Sequence, residues 1–454
     1  MNDRRIQLMS TLVLVGLSLA GLAACGSSDS SESEPATGGG TGGSVSTGGS
    51  GGASGDGGSA GTGFDGGGGG IGGTGGTGGV GGTGGAGGDP FADPSFPGID
   101  TSSVPTGTAP AGCEHGLDTG TGRLTIAVES GSCVLLRVLG NEIQANGVTC
   151  SAANGDAATV DNTASIQVTG SDGDETFILD LSTGSFGPHI LSASGGIHVD
   201  LGGGDDTVML RTTVQDDTVQ AGHSGAEAVV GLAAGSSGDA WLSGIERMVV
   251  SLGPGADTFR ANGGVGSDEP VGIPLVVFGG AGDDALAGGA GNDELNGGEG
   301  DDTFDEGDQD NGADLINGGT DAGNTVSYEG RSLPLVVTMC SSTGTEGCRA
   351  PECTCGADDG SEWEGDNIVN VHRLIGGSGG DDITGTLDAD LIEGRGGADY
   401  LYGVDGADTL LGGEGDDTLD SGNDSDVDVL DCGTSDADVA VATDGDEVVD
   451  CELY

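Results

Sequence analysis

The sequence predicts an all-β solenoid. It reads as a parallel β-roll or β-helix, preceded by a weaker β-solenoid region and, before that, a disordered glycine-rich tether. Three observations carry this. A nine-residue phrase, G-G-x-G-x-D-x-U-x with U a large apolar residue, recurs in register between Gly279 and Asp420. Residues 113–274 show short apolar runs separated by Gly, Asn and Asp, with no sustained helical period. The 454 residues include 101 glycines and only 3% aromatics, with a net charge of −63. That composition alone would suggest disorder, but disorder requires no register and this chain keeps one.

The first array has copies from Gly279, Gly288 and Gly297 in strict register. A fourth, from Gln309, is displaced by three extra residues, Glu306 to Asp308. The second array runs five copies without a gap, from Gly376, Gly385, Gly394, Gly403 and Gly412. Each element of the phrase has a physical role. Glycines allow a tight turn, with φ > 0 where needed. The sixth-position Asp offers a hard carboxylate oxygen, as Ca²⁺ prefers. The eighth-position apolar side chain points inward onto its counterparts. A repeat of this kind cannot bury its apolar face alone, so copies must stack. Five copies in unbroken register, each with Asp at six and an aliphatic residue at eight, do not arise from composition.

On these motifs the chain resembles the haemolysin-type calcium-binding repeat family, also called RTX. The resemblance implies that six residues of each phrase form a turn and three a short strand, with two phrases per coil of a parallel β-roll. It implies Ca²⁺ between turns stacked on the same side, bound by sixth-position carboxylates and turn carbonyls. Carried over copy by copy, the ligands are Asp284, Asp293, Asp302 and Asp314, then Asp381, Asp390, Asp399, Asp408 and Asp417. The inward residues are Leu286, Leu295, Phe304 and Ile316, then Ile383, Ile392, Leu401, Leu410 and Leu419. Copies from 376, 394 and 412 form one stack, with Asp399 in the middle and Asp381 and Asp417 at its ends. Copies from 385 and 403 form the other. Departures from the motif exist: the copy from Gly385 reads Gly-Thr-Leu-Asp, and that from Gly394 has Arg395 at position two. Without Ca²⁺ the Asp rows repel, so binding and folding are coupled. A metal-free acidic solenoid is the alternative.

The remaining segments follow in order. Residues 1–25 have a positive start at Arg4 and Arg5, an apolar run, and then Leu22-Ala23-Ala24-Cys25. This resembles a bacterial lipobox, which implies lipidation of Cys25 and a mature protein held to a membrane by acyl chains alone. An uncleaved membrane helix or an ordinary signal peptide is the alternative. Residues 26–112 are low-complexity Gly, Ser and Thr, a tether with a reach of roughly 50 Å. Residues 113–275 carry weak forms of the repeat at Glu175, Asp206, Asp217 and Asp257, and read as more β-solenoid with degenerate turns; an unrelated β-sandwich is the rival. The first array occupies 276–329, an insertion with a cysteine cluster 330–375, the second array 376–420, and a cap 421–454, because a solenoid end must cover its core and edge.

Ten cysteines fit an oxidising compartment. Cys432 and Cys451 are expected to pair. Cys340, Cys348, Cys353 and Cys355 offer two bridges, or a zinc site whose spacing does not match a zinc knuckle. Cys113, Cys133 and Cys150 leave one over, free or paired elsewhere.

Several function classes fall away. All eleven basic residues are Arg, so no lysine exists for a P-loop, a kinase site or a Schiff base. So acidic a surface repels nucleic acid and anionic lipid. None of the five histidines sits in a metal-binding motif, and G-x-S-x-G matches are cheap in such a chain. The reading is therefore of a non-enzymatic, exported, lipid-anchored Ca²⁺-binding roll, an extracellular structural or adhesion module on the outer membrane or cell surface. No protein or glycan ligand is named by the sequence. The rivals are a hydrolase or protease with appended repeats, and a toxin, which would need apolar inserting runs of ~18 residues.

Overall fold

The computed structural model describes residues 92–191, 195–232, 238–266, 269–340, 359–361, 364–434 and 437–453. The signal segment with Cys25, the tether to residue 91, and Cys348, Cys353, Cys355 and Trp363 lie outside the described residues.

In the arrays the phrase leaves three residues for a strand, and the strands are short accordingly. Ala285–Ala287, Thr303–Asp305, Asp382–Thr384, Tyr400–Tyr402 and Thr418–Asp420 each bury the middle, eighth-position side chain. The eighth positions of all nine copies are buried. Pairing is parallel and joins each copy to the one two phrases on. Leu286 lies opposite Phe304, Leu295 opposite Ile316, Ile383 opposite Leu401 and Ile392 opposite Leu410. Two phrases therefore make one coil of a parallel β-roll, and successive phrases fall on opposite sheets.

Three sheets result. A sixteen-stranded sheet runs from Leu117–Asp118 to Glu447–Val449. Across from it, a ten-stranded sheet ends at Asn367–Val369, and a seven-stranded sheet contains Leu335–Thr338, Asp382–Thr384, Tyr400–Tyr402 and Thr418–Asp420 among its strands. A parallel bridge between Cys340 and Val369 links the two.

Residues 113–275 share the plan. Ser165–Ser171, Ile197–Gly202 and Ala240–Ser243 lie in the long sheet, while Thr176–Asp180, Thr207–Arg211 and Arg247–Pro254 lie in the ten-stranded one. Arg247–Pro254 pairs in parallel with Leu275–Ala281, which leads into the first array. The sandwich alternative is thus replaced by one continuous solenoid. The weak repeats are its turn-to-strand joints. An antiparallel hairpin, Thr218–Ser224 with Glu227–Gly231, interrupts the register.

The expected tether ends earlier than residue 112. Phe96, Ile99 and Val104 are buried, and Ile99 and Val104 pack with Leu135, Ile178, Met209, Val249 and Val276 on the outer face of the ten-stranded sheet. Large apolar residues among the glycines were the signal. At the N-terminal end, antiparallel Cys133–Leu139 and Glu142–Ala145 close the sheet edge, and a disulfide joins Cys113 to Cys150 on either side of them in the chain. Cys133 and Cys340 are each disulfide-bonded as well, in separate bridges to other cysteines of the chain. At the other end, Val429–Gly433, Val439–Val441 and Glu447–Val449 continue the roll past residue 420, and Cys432 is bonded to Cys451. Among the described residues no helix is long and apolar enough to cross a membrane.

Candidate metal centre

Each sixth-position aspartate ends a turn and starts a strand, so stacking coils stack aspartates. The amide of Asp381 donates to Oδ1 of Asp399 at 2.8 Å, that of Asp399 to Asp417 at 2.9 Å, and that of Asp417 to Asp438 at 2.8 Å. On the opposite side Asp390 donates to Asp408, Asp408 to Asp428 and Asp428 to Asp446, at 2.9, 2.8 and 3.2 Å. In the first array one ladder links Asp257, Asp284, Asp302 and Asn324 at 2.7, 2.9 and 2.8 Å. The other links Asp293, Asp314 and Asp366 at 2.8 and 2.9 Å. All nine aspartates named from the sequence lie in these same-side ladders. Asp417 is an interior member, because Asp438 stands beyond it. Upstream, Glu175 donates to Asp206 and Asp217 to Asp257, both at 2.7 Å, so the weak repeats belong to the ladders too.

The ladder occupies one carboxylate oxygen of each aspartate. The other divides the nine into two groups. Oδ2 of Asp284, Asp302, Asp399, Asp408 and Asp417 is buried without a hydrogen-bond donor, as are those of Asp206, Asp257 and Asp428. In contrast, Oδ2 of Asp293 accepts from the Gly289 amide at 2.6 Å, that of Asp381 from Gly377 at 3.0 Å, and that of Asp390 from Thr386. Oδ2 of Asp314 accepts from Asn311 Nδ2 at 3.1 Å. The preceding neighbour in the stack explains most of this. Leu275 and Leu335 precede Asp293 and Asp381, and their amides donate to Oδ1. His372 precedes Asp390, its Nδ1 at 3.1 Å from Oδ1. Where an aspartate precedes a copy, Oδ2 is left bare, with Asp314 the exception.

A buried acceptor without a donor costs about 1–3 kcal/mol, and more if charged. A row of them needs a counter-charge. Burial, reinforced by neighbouring carboxylates, pushes Asp284 and Asp399 up to about 7, Asp408 to about 8 and Asp302 to about 6. Without a cation these groups hold their protons to higher pH than an ordinary carboxyl does.

The turn glycines make room for the same oxygens. A Cβ on Gly376 would stand 2.8 Å from Asp381 Oδ2, and one on Gly412 would stand 2.5 Å from Asp417 Oδ2. At the second position, Gly298 has φ +125°, and a Cβ there would run into the carbonyl oxygen of Gly280 one coil earlier. Stacked carbonyls therefore run beside stacked carboxylates. Arg395 and Val404 hold this second position with φ of 77° and 96°. The Arg395 turn keeps its shape, and its carbonyl still packs against Gly413. Such conformations cost about 1–3 kcal/mol and persist only where the surroundings enforce them. The other departure has a different result. The Gly385 copy supplies its own Thr386 donors to Asp390, so its carboxylate is fully partnered.

Sequence reasoning passed over Asp428, Asp438 and Asp446, which stand on the ladders. Their signal was Asp-x-apolar at Asp428-Val429-Leu430 and Asp438-Val439-Ala440, outside the nine-residue register. The arrangement as a whole is a file of hard oxygen donors, suited to a cation that takes 6–8 oxygens at about 2.3–2.6 Å.

The RTX calcium-binding nonapeptide repeat model matches in four copies, over residues 278–311, 375–410 and 400–428. The chain carries RTX calcium-binding repeats, and they are folded as a parallel β-roll. A comparison with curated proteins gives no match.

Proposed function

We propose that Ca²⁺ ions occupy the spaces between same-side turns. Oδ2 of Asp284, Asp302, Asp399, Asp408 and Asp417, with turn carbonyls, supplies the main ligands. Asp293, Asp314, Asp381 and Asp390 flank them with oxygens already hydrogen-bonded. The observation that carries this is the row of buried carboxylate oxygens without donors, confined in the nonapeptide copies to turns that follow another acidic turn. The filled roll serves as a stiff extracellular structural or adhesion module. Repeats of this family typically occur in exported proteins. The Leu22-Ala23-Ala24-Cys25 motif supports an acyl anchor on Cys25, and the disulfides suit an oxidising compartment. The glycine-rich segment would space the roll from the membrane.

Circular dichroism of the full chain during a Ca²⁺ titration tests the first part. A gain of β signal with Ca²⁺, much weaker with Mg²⁺, is expected; identical spectra in chelator and in millimolar Ca²⁺ would end it. For the anchor, mass spectrometry is expected to find an acylated Cys25. Cys25→Ser is expected to leave the membrane fraction, and retention there would mean that residues 6–24 are the anchor.

A further inference from the structure

At the junction of the first array and the insertion, three carboxylates meet that the nonapeptide pattern does not bring together. Glu306 is the first of the residues that interrupt the phrase, Asp314 is the sixth position of the fourth copy, and Asp366 comes from the insertion. All three are buried, and one oxygen of each lies within 4.8 Å of the other two. Two Ca–O bonds of about 2.4 Å span such a gap.

Hydrogen bonding fixes the rim and leaves the centre bare. The Asp314 amide and the Tyr328 hydroxyl donate to the two oxygens of Asp366 at 2.9 and 2.8 Å. Asn311 Nδ2 donates to Glu306 Oε2 at 2.9 Å and to Asp314 Oδ2 at 3.1 Å. Glu306 Oε1 has no donor and no solvent. Arg331 supplies positive charge nearby, but its guanidinium donates to the Glu306 backbone carbonyl, Asp310, Asn311 Oδ1 and Glu364, at 2.6–3.2 Å. With Glu364 also buried, four buried carboxylates face this one guanidinium. Buried charge in such excess needs a partner. A cleft lined by Asp308, Gln309, Asp310, Arg331, Ser332 and Leu333 opens beside Arg331.

We propose that Glu306, Asp314 and Asp366 hold a Ca²⁺ ion of their own, outside the repeat pattern, which clamps the insertion onto the end of the first array. The choice of ion rests on the reading of the ladders; the existence of the site does not.

Equilibrium dialysis of the full chain against radiolabelled Ca²⁺ tests it. Glu306→Gln and Asp366→Asn are each expected to bind one ion fewer than the parent, with Asp399→Asn as the ladder control. If Glu306→Gln keeps the parent's ion count and binding curve, the cluster is closed by protons and the site does not exist. If the parent binds a single ion, lost in Glu306→Gln and kept in Asp399→Asn, the ladder reading fails while this site stands. Terbium emission provides a measurement that leaves the carboxylates intact. Tyr328→Phe removes the phenol beside the site and is expected to lower tyrosine-sensitised emission. Unchanged emission would overturn the assignment.

Discussion

A coil of residues 165–281 and a coil of residues 376–433 share a backbone plan and differ in what holds them. Strand Thr176–Asp180 buries Phe177, Ile178 and Leu179, and the strand stacked on it buries Val208, Met209 and Leu210. Its sheet is covered on both faces, since residues 99–104 lie over the outer one. In the second array, Asp382–Thr384 buries Ile383 alone, and across the roll Ile392 is buried at the eighth position. Full burial of one such side chain contributes about 1.5–3 kcal/mol, so the N-terminal coil draws far more on apolar burial. The arrays have instead a bare carboxylate oxygen at most interior turns, whereas among the described residues of 113–275 only Asp206 and Asp257 carry one. One plan thus carries two different turn chemistries, and the proposed ions would be the second force that holds it.

Stripping Ca²⁺ from the full chain should have the largest effect. Amide exchange in residues 376–449 is expected to lose protection while residues 165–254 keep it. Uniform loss across both regions would break the comparison.

Core substitutions come next. Phe177→Ala is expected to cost about 3–5 kcal/mol in urea melts, with or without chelator. Leu401→Ala is expected to cost about 2–5 kcal/mol, measurable only in the Ca²⁺-loaded protein. Equal dependence of the two on Ca²⁺ would show that one force serves both regions.

Within the arrays, Asp399→Asn, Asp408→Asn and Asp417→Asn should each forfeit an ion. That is about 3 kcal/mol at a hundredfold excess over Kd. Asp381→Asn and Asp390→Asn should shift the calorimetric midpoint less, because hydrogen bonds already hold both their oxygens. Identical midpoints in all five would remove the bare oxygen as the criterion.

The smallest effect is of pH. Asp284 and Asp399 near 7 and Asp408 near 8 lie above the ordinary unfolded value of about 3.9. The metal-free folded roll therefore binds more protons than the unfolded chain. Its stability is expected to rise as pH falls from about 8 to about 4, and to be lost as pH rises back through the folded values. Protons compete with Ca²⁺ for the same oxygens, so the Ca²⁺ midpoint should climb over that window as pH falls. Dichroism of the chelated chain at both ends of the window, and titrations at each, measure the two trends.

The roll was legible because its determinants are local. A period of nine with Asp at six and an aliphatic at eight specifies turn, strand and facing at once, and the pairing of Leu286 with Phe304 follows from it. Stack membership was legible for the same reason. What was hidden depends on tertiary neighbours. Nothing local to Asp293 or Asp381 shows that a leucine amide precedes each in its stack. Asp366 reaches the Asp314 ladder only because the insertion folds back. The end of the tether was missed because Phe96, Ile99 and Val104 are too sparse to show a period, yet they find a prepared apolar face.

Every rung of the ladders points the same way. The amide belongs to the earlier coil and the accepting oxygen to the later one, from Asp257 to Asp284 to Asp302 and from Asp381 through Asp438. The exposed end of a growing roll thus presents donors already in place, like the face of a seed crystal. In a solenoid governed by nearest-neighbour contacts, the apolar N-terminal coils would form that seed, and on the proposed function the ions would set the rate of growth upon it. A chain without residues 92–275 would have to nucleate from its own acidic coils, and would need more Ca²⁺ to begin.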